Sequence, residues 1–149
     1  MTLIDEAKES DSGYAGNISP NEAWHLLDRE PDAVLIDVRT TAEWSYVGLP
    51  DVSSLEKEVV KLDWKQFPSM NLNPHFVSEL QTKGFGVDQA LLFLCRSGVR
   101  SKDAAIAMTR AGFRRCYNIA EGFEGDRNDT KHRGTIGGWK LRGLPWVQN

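Results

Sequence analysis

Apolar and polar positions along the chain divide it into alternating strand-like and helix-like segments. Three short apolar runs predict buried strands, at residues 33–38, 90–94 and 116–119. The first two are apolar at nearly every position, which is typical of strands covered on both faces of a parallel sheet. Strands that alternate with helices predict a three-layer α/β domain with a mainly parallel sheet.

Capping and breaking residues locate the helices between these runs. Ser19, Pro20 and Glu22 form a capping box with proline at the first helical position, which predicts a helix over the residues that follow. Asn73 precedes another helix, which runs through residue 80 and stops at Gly84. Further helical segments are predicted over residues 41–46, 55–67, 102–111 and 139–142, and a short strand over 52–53.

Local composition sets the expected domain boundaries. Residues 1–17 are polar and rich in Ser, Gly and Asp, so they predict a flexible leader, and residues 18–149 a single domain. The long, polar, glycine-bearing segment 120–138 has the composition of a surface loop.

Charge and targeting signals narrow the classes of partner and location. The 149 residues carry 18 Lys and Arg against 21 Asp and Glu, a net charge of −3, so no basic excess favours nucleic acid or a membrane surface. The beginning lacks the features of a secretion signal and no apolar run is long enough to span a bilayer, which predicts a cytoplasmic protein. In that compartment Cys95 and Cys116 are expected to be free thiols.

The stretch from Cys95 to Ser101 carries the main candidate chemistry. Cys95 follows a predicted strand and precedes a predicted helix, where unsatisfied backbone N–H groups favour an anion. Arg96 and Arg100 add positive charge, and both effects favour the thiolate form of a cysteine. Cys95 is therefore predicted to be a nucleophile, and it needs no histidine base.

These motifs together resemble the rhodanese family of sulfurtransferases. The resemblance rests on Asp37-Val38-Arg39, on Glu43-Trp44 and on the seven residues from Cys95 to Ser101, in the order and approximate spacing of a single rhodanese domain. It implies a rhodanese-like α/β fold in which a parallel sheet is flanked by helices. It also implies that the cysteine holds a persulfide at the centre of its loop.

Two segments depart from the family pattern. Gly48-Leu49-Pro50-Asp51 stands where members often carry Gly-His-Ile-Pro-Gly, so a different turn is expected there. The glycine pair that often follows the last strand is replaced by residues 121–125, which puts a different wall beside the pocket. Neither change affects the predicted nucleophile.

The expected reaction is transfer of a sulfane sulfur. Cys95 attacks a donor such as thiosulfate, sulfite leaves, and the persulfide passes to cyanide, to a cellular thiol or to a sulfur-relay protein. No cofactor and no metal is expected, and His25, His75 and His132 lack ligand spacing. The predicted substrate-binding residues are those of the loop: Arg96, Ser97, Gly98, Val99, Arg100 and Ser101. The alternative that one of the two arginines serves structure instead stays open.

Three residues near the loop, Asp37, Arg39 and Glu43, are predicted to support its structure rather than to take part in the reaction. Asp37 is expected to accept hydrogen bonds from loop amides, and Arg39 to pair with Glu43 and so lock the following turn. Cys116, which lies in a strand-like run without basic neighbours, is expected to be structural.

Two other classes of function stay open. Cysteine phosphatases also use a cysteine, a loop of N–H donors and an arginine, but they place one residue more between the two than the four found here. A tighter loop suits a single sulfur atom better than a phosphate. A persulfide carrier or a regulatory interaction module, with little turnover of free thiosulfate, is the second alternative.

Overall fold

The computed structural model describes residues 13–148. The strands are β1 (Gly16–Ile18), β2 (Val34–Asp37), β3 (Leu49–Pro50), β4 (Val60–Lys61), β5 (Lys65–Gln66), β6 (Asn71–Leu72), β7 (Leu91–Leu94), β8 (Cys116–Ile119) and β9 (Trp146–Val147). The helices are α1 (Pro20–Arg29), α2 (Thr41–Tyr46), α3 (Phe76–Thr82) and α4 (Val99–Arg110), with a 3₁₀ turn at Ser53–Leu55. In this part of the chain, no helix is both long and apolar enough to cross a bilayer.

Five parallel strands form the central sheet, in the order β1, β8, β7, β2, β4. Phe93 of β7 lies opposite Ile36 of β2 on one side and opposite Asn118 of β8 on the other. Two small antiparallel pairs, β3 with β9 and β5 with β6, lie outside this sheet. Because all five central strands point the same way, their carboxyl ends share one edge.

Alternate residues of the strands fill a core on each face of the sheet. Leu91 and Phe93 belong to a cluster with residues of α3 and α4, whereas Leu92 and Leu94 belong to a cluster with residues of α1. Burial on both faces explains why these strands are continuous apolar runs. The predicted three-layer α/β fold is confirmed.

The capping residues in the sequence mark the helix ends that the structure shows. The Ser19 hydroxyl accepts a hydrogen bond from the Glu22 N–H at 3.0 Å, and the Glu22 carboxylate accepts one from the Ser19 N–H at 2.9 Å. A second capping box, between Thr40 and Glu43, begins α2. Gly112 follows the end of α4 with a positive φ of 108°, as expected for a helix-ending glycine.

The segment over residues 52–67 does not form the predicted strand and helix. Residues 53–55 form a 3₁₀ turn instead of a strand. The predicted helix over 55–67 is replaced by β4 and β5, because Val60 pairs with Ile36 at the sheet edge while Leu62 and Trp64 pack against the core. Pairing with a distant strand here overrides a helical pattern.

Two segments that the sequence predicts to be a leader and a surface loop have more regular structure than expected. Most of the predicted leader, residues 1–12, lies outside the described residues, but Tyr14 is buried and β1 begins at residue 16, so a leader that extends to residue 17 is wrong. The segment 120–138 is no simple surface loop, since Phe123, Gly137 and Gly138 are buried within it. The predicted turn over 139–142 is confirmed by the hydrogen bond from the Arg142 N–H to the Gly138 carbonyl at 3.0 Å.

Candidate active site

The loop after β7 lies at the edge where the parallel strands end. Cys95 directly follows Leu94, the last residue of β7, and Gly98 is the N-cap of α4. The neighbouring strands β2 and β8 deliver Arg39 and the segment after residue 119 to the same edge. In an open parallel sheet this edge is where ligands usually bind.

The sulfur of Cys95 is enclosed by its own loop. The residue is 1% exposed, and in the part of the chain that the structure describes, two donor atoms lie within hydrogen-bonding distance of Sγ. The Gly98 N–H donates to it at 3.1 Å, and the Ser101 hydroxyl lies 3.2 Å away. Gly98 has a φ of +104°, which a side chain would strain, so glycine is needed to aim this amide at the sulfur.

A buried asparagine continues the contacts of Ser101. Its hydroxyl also lies within hydrogen-bonding distance of Asn118 Oδ1, on β8. The Asn118 amide nitrogen donates to the Gly98 carbonyl at 3.2 Å and to Asn17 Oδ1 at 3.0 Å. Asn118 was missed by sequence reasoning, although a polar residue within a buried strand is a signal that could have identified it.

Arg100 forms an ion pair with Glu43 across the site. Its two terminal nitrogens lie 2.7 Å and 3.0 Å from the two carboxylate oxygens. Burial opposes both charges, but the hydrogen bonds and charge of Arg100 outweigh it and hold the pKa of Glu43 below its ordinary value. Against the same cost of burial, the hydrogen bonds and the negative charge of Glu43 raise the pKa of Arg100.

Asp37 and Arg39 form a second ion pair, completely buried. Arg39 Nη2 lies 2.7 Å from Asp37 Oδ2 and donates to the Gly48 carbonyl at 2.8 Å, and its guanidinium carbon lies 4.3 Å from the centre of the Phe123 ring. The Asp37 carboxylate also accepts from the Arg39 backbone N–H at 3.1 Å, as predicted for a loop amide. The predicted pairing of Arg39 with Glu43 is wrong, because each takes a different partner.

Residues after β8 form one wall of the loop. The Phe123 N–H donates to the Cys95 carbonyl at 2.8 Å, and the Glu124 N–H donates to the Arg96 carbonyl at 3.0 Å. Gly122 approaches so closely that an added Cβ would lie 2.6 Å from the Cys95 carbonyl oxygen. The wall that the sequence predicts from residues 121–125 is therefore beside the loop, and it holds the loop by its backbone, a contact that side-chain patterns do not show.

The remaining loop residues differ in exposure. The Arg96 side chain is exposed, Ser97 is half-buried, and Val99 is 70% exposed. The two arginines therefore occupy different environments, since Arg100 is largely buried against Glu43. Arg96 is the loop cation that a dissolved anion can reach.

The arrangement can stabilise negative charge on one sulfur. The Gly98 amide donates to the sulfur, a nearby guanidinium adds positive charge, and the positive end of α4 points to the same place. The Ser101 hydroxyl can turn its proton either to the sulfur or to Asn118. Because the surrounding loop is small, the site suits a single sulfur atom.

Comparison with known proteins identifies the family. A family model described as the STR4 middle domain matches residues 15–149. The chain belongs to this rhodanese-related family. The family resemblance drawn from Asp37, Glu43 and the Cys95 loop is thereby confirmed.

Several relatives of this rhodanese-like chain match along most of their length. The crystal structure of Rv0390 from M. tuberculosis is 46% identical and superimposes with a TM-score of 0.84, covering 91% of this chain and 99% of that one. An uncharacterized protein of Rickettsia prowazekii is 38% identical over 131 residues, which cover 87% of this chain and 95% of the relative. The thiosulfate sulfurtransferase GlpE of Actinobacillus pleuropneumoniae is 26% identical, covering 86% and 89% of the two chains.

Proposed function

We propose that this rhodanese-like protein is a sulfurtransferase that carries a sulfane sulfur on Cys95. A donor such as thiosulfate, or a persulfide, supplies the sulfur, and cyanide or a thiol removes it. The observation that supports the proposal most strongly is the surroundings of Cys95 Sγ, where the Gly98 amide and the Ser101 hydroxyl converge within 3.2 Å. The name of the GlpE relative, a thiosulfate sulfurtransferase, points to the same donor.

Each loop residue has a role in this proposal. The Cys95 thiolate attacks the outer sulfur of thiosulfate, the bond to the sulfonate sulfur breaks, and sulfite leaves with that electron pair. Arg96, which is exposed, attracts the anionic donor, while Arg100 stays paired with Glu43 and adds positive charge beside the persulfide. Ser97 and Val99 line the entrance.

Intact-protein mass spectrometry tests the proposal directly. Incubation with thiosulfate should add the mass of one sulfur atom, and cyanide should remove it with formation of thiocyanate. Cys95→Ser should abolish the addition. Cys116→Ser is the matched control, because Cys116 is equally buried but lies away from the loop, and it should load normally. Loading that persists in Cys95→Ser and disappears in Cys116→Ser would contradict the assignment.

Turnover separates an enzyme from a carrier. An enzyme should convert thiosulfate and cyanide repeatedly with ping-pong kinetics, whereas a persulfide carrier should load once and then wait for a partner protein. A chain that hydrolyses a phosphate ester and takes up no sulfur would instead be a cysteine phosphatase. If the Cys95→Ser variant functions as well as the natural chain, the protein is an interaction module.

A further inference from the structure

We propose that Asn118 is a positioning residue that holds the hydroxyl proton of Ser101 away from the Cys95 thiolate. The inference rests on the proposed sulfur-transfer function, since it concerns the same sulfur atom. It predicts that Asn118 opposes formation of the free thiolate, and so favours the two states in which Cys95 is either protonated or carries sulfur.

The orientation of the Asn118 side chain follows from its partners. Its nitrogen lies 3.2 Å from the Gly98 carbonyl oxygen, an atom that can only accept a hydrogen bond. It also donates to Asn17 Oδ1, which accepts from the Tyr14 hydroxyl as well, at 2.8 Å. The amide nitrogen must face these acceptors, and the amide oxygen therefore faces Ser101.

Ser101 has one hydroxyl proton and two neighbouring acceptors. Ser101 Oγ lies 3.2 Å from Cys95 Sγ and 2.5 Å from Asn118 Oδ1, and its single proton can serve only one of them. In the proposed thiol state the Ser101 O–H donates to Asn118, which leaves Ser101 Oγ free to accept from the Cys95 S–H. The Gly98 N–H donates to the sulfur at the same time. Every polar group in this buried chain of contacts then has a partner.

Loss of the thiol proton breaks this balance. If the Ser101 proton turns toward the negative sulfur, Asn118 Oδ1 loses its donor in a site where Ser101 and Asn118 are both buried. If the proton stays with Asn118, the lone pairs of Ser101 Oγ face the sulfur anion at 3.2 Å. An unsatisfied buried acceptor and a missing donor to a charge are both costly, so Asn118 disfavours the thiolate.

Sulfur loading restores the balance. The thiolate and thiosulfate form Cys–S–S⁻ and sulfite, with the electron pair of the broken S–S bond leaving on sulfite. Sγ is then a neutral bridging atom, and the Ser101 proton can return to Asn118. On discharge the acceptor takes the outer sulfur, and the electron pair returns to Sγ as a thiolate that again competes for that proton. Asn118 therefore also slows the release of sulfur.

The charged groups around Cys95 belong to other elements than β8. Arg100 lies on α4 and is paired with Glu43 of α2, while Asp37 and Arg39 lie at the end of β2. A substitution at position 118 removes none of these charged groups. It does remove the hydrogen bond to the Gly98 carbonyl as well as the one with Ser101, and the Ser101→Ala background separates the two effects.

The test measures thiolate ultraviolet absorbance against pH, with the absorbance of Cys95→Ser subtracted to remove Cys116. Asn118→Leu removes the acceptor and should lower the midpoint of Cys95 ionisation by about one pH unit, a tenfold change in the ionisation ratio. Ser101→Ala removes a hydroxyl whose proton Asn118 already holds, so on its own it should move the midpoint by much less than Asn118→Leu does. The double variant should match Ser101→Ala alone, because Asn118 acts through that hydroxyl.

Matched variants separate this role from a structural one. Asn17→Ala removes a partner of the Asn118 nitrogen but keeps the acceptor oxygen, and should leave the midpoint within a few tenths of a unit. Asn118→Ala also removes the acceptor and introduces no charge, so it should lower the midpoint in the same direction as Asn118→Leu, and should not do so in the Ser101→Ala background. Asn118→Ala decides the matter if Asn118→Leu does not fold, as judged by circular dichroism.

The outcomes are distinct from those for the proposed function, because ionisation is measured without any sulfur donor. A midpoint that rises or stays unchanged in folded Asn118→Leu, or a full shift that persists in the Ser101→Ala background, overturns the role of Asn118. A lower midpoint in Asn118→Leu would support the positioning role of Asn118. If the natural chain also took up no sulfur, that role would stand and the proposed sulfurtransferase activity would be contradicted.

Discussion

The close approach of Gly122 to the cysteine loop makes Gly122→Ala an informative perturbation. Gly122 has a φ of +66°, and a Cβ there would lie 2.6 Å from the Cys95 carbonyl oxygen. The left-handed conformation costs a residue with a side chain about 1–2 kcal/mol. Overpacking against a backbone that cannot rotate away adds roughly 1–3 kcal/mol. The expected loss in the free energy of unfolding is therefore about 3 kcal/mol.

Gly84→Ala provides the matched control. Gly84 has a φ of +80°, yet an added Cβ would meet no atom within 4 Å. It should therefore cost only the conformational strain, about 1–2 kcal/mol. Both substitutions remove the same glycine freedom from the unfolded chain, so that contribution cancels when the two variants are compared. The difference between them measures the steric conflict at the loop.

Urea unfolding and sulfur uptake together form the assay. With equal slopes against urea, the midpoints give the two free energies of unfolding. Gly122→Ala should also displace the Cys95 and Arg96 carbonyls and slow sulfur uptake from thiosulfate, whereas Gly84→Ala should load at the normal rate. A Gly122→Ala protein that is no less stable than Gly84→Ala and loads equally fast would refute the reasoning from close approach.

Two further substitutions test the ion pairs. Glu43→Gln keeps an acceptor for the Thr40 N–H but removes the charge facing Arg100, and should cost about 2 kcal/mol in urea unfolding at neutral pH. The pKa of Glu43 is lowered in the folded protein. The natural chain should therefore exceed Glu43→Gln in free energy of unfolding by the full amount above about pH 4.5, and this difference should shrink as the pH falls below that value. Arg39→Lys keeps the charge but loses the forked contact with Asp37 and the bond to Gly48, and should cost roughly 2–3 kcal/mol in the same measurement; an unchanged urea midpoint in either variant contradicts these estimates.

The parts of the fold that depend on residues close together in the sequence were predictable from it. The capping box at Ser19 and Glu22 lies within one helical turn, so α1 could be located without knowledge of tertiary contacts. The apolar runs of β2 and β7 are buried on both faces, and that burial can be inferred from their composition alone. The edge strands β1, β4 and β9 are two or three residues long, and they form only because a partner strand is present.

The candidate site also has a part that could be predicted from local sequence and a part that depends on distant residues. The cysteine loop is one contiguous stretch, so the candidate nucleophile and the two arginines near it could be identified from spacing. The partners of those residues come from distant positions, since Arg100 pairs with Glu43 across 57 residues and Asn118 contacts Asn17 across 101. Arginine at positions 39 and 100 could pair with either acidic residue on sequence grounds, and only the fold assigns Arg39 to Asp37.

Placement of polar groups in the interior explains why these distant pairings matter to the chemistry. A buried asparagine or carboxylate must find partners, and each partner it takes is unavailable to the sulfur. Arg100 donates two hydrogen bonds to Glu43, and Ser101 donates its hydroxyl proton to Asn118. Two of the groups closest to Cys95 therefore already have partners before any substrate binds. The reactivity of the thiol therefore depends on which groups its neighbours bind, and those groups lie on strand β8 and helix α2 rather than within the loop itself.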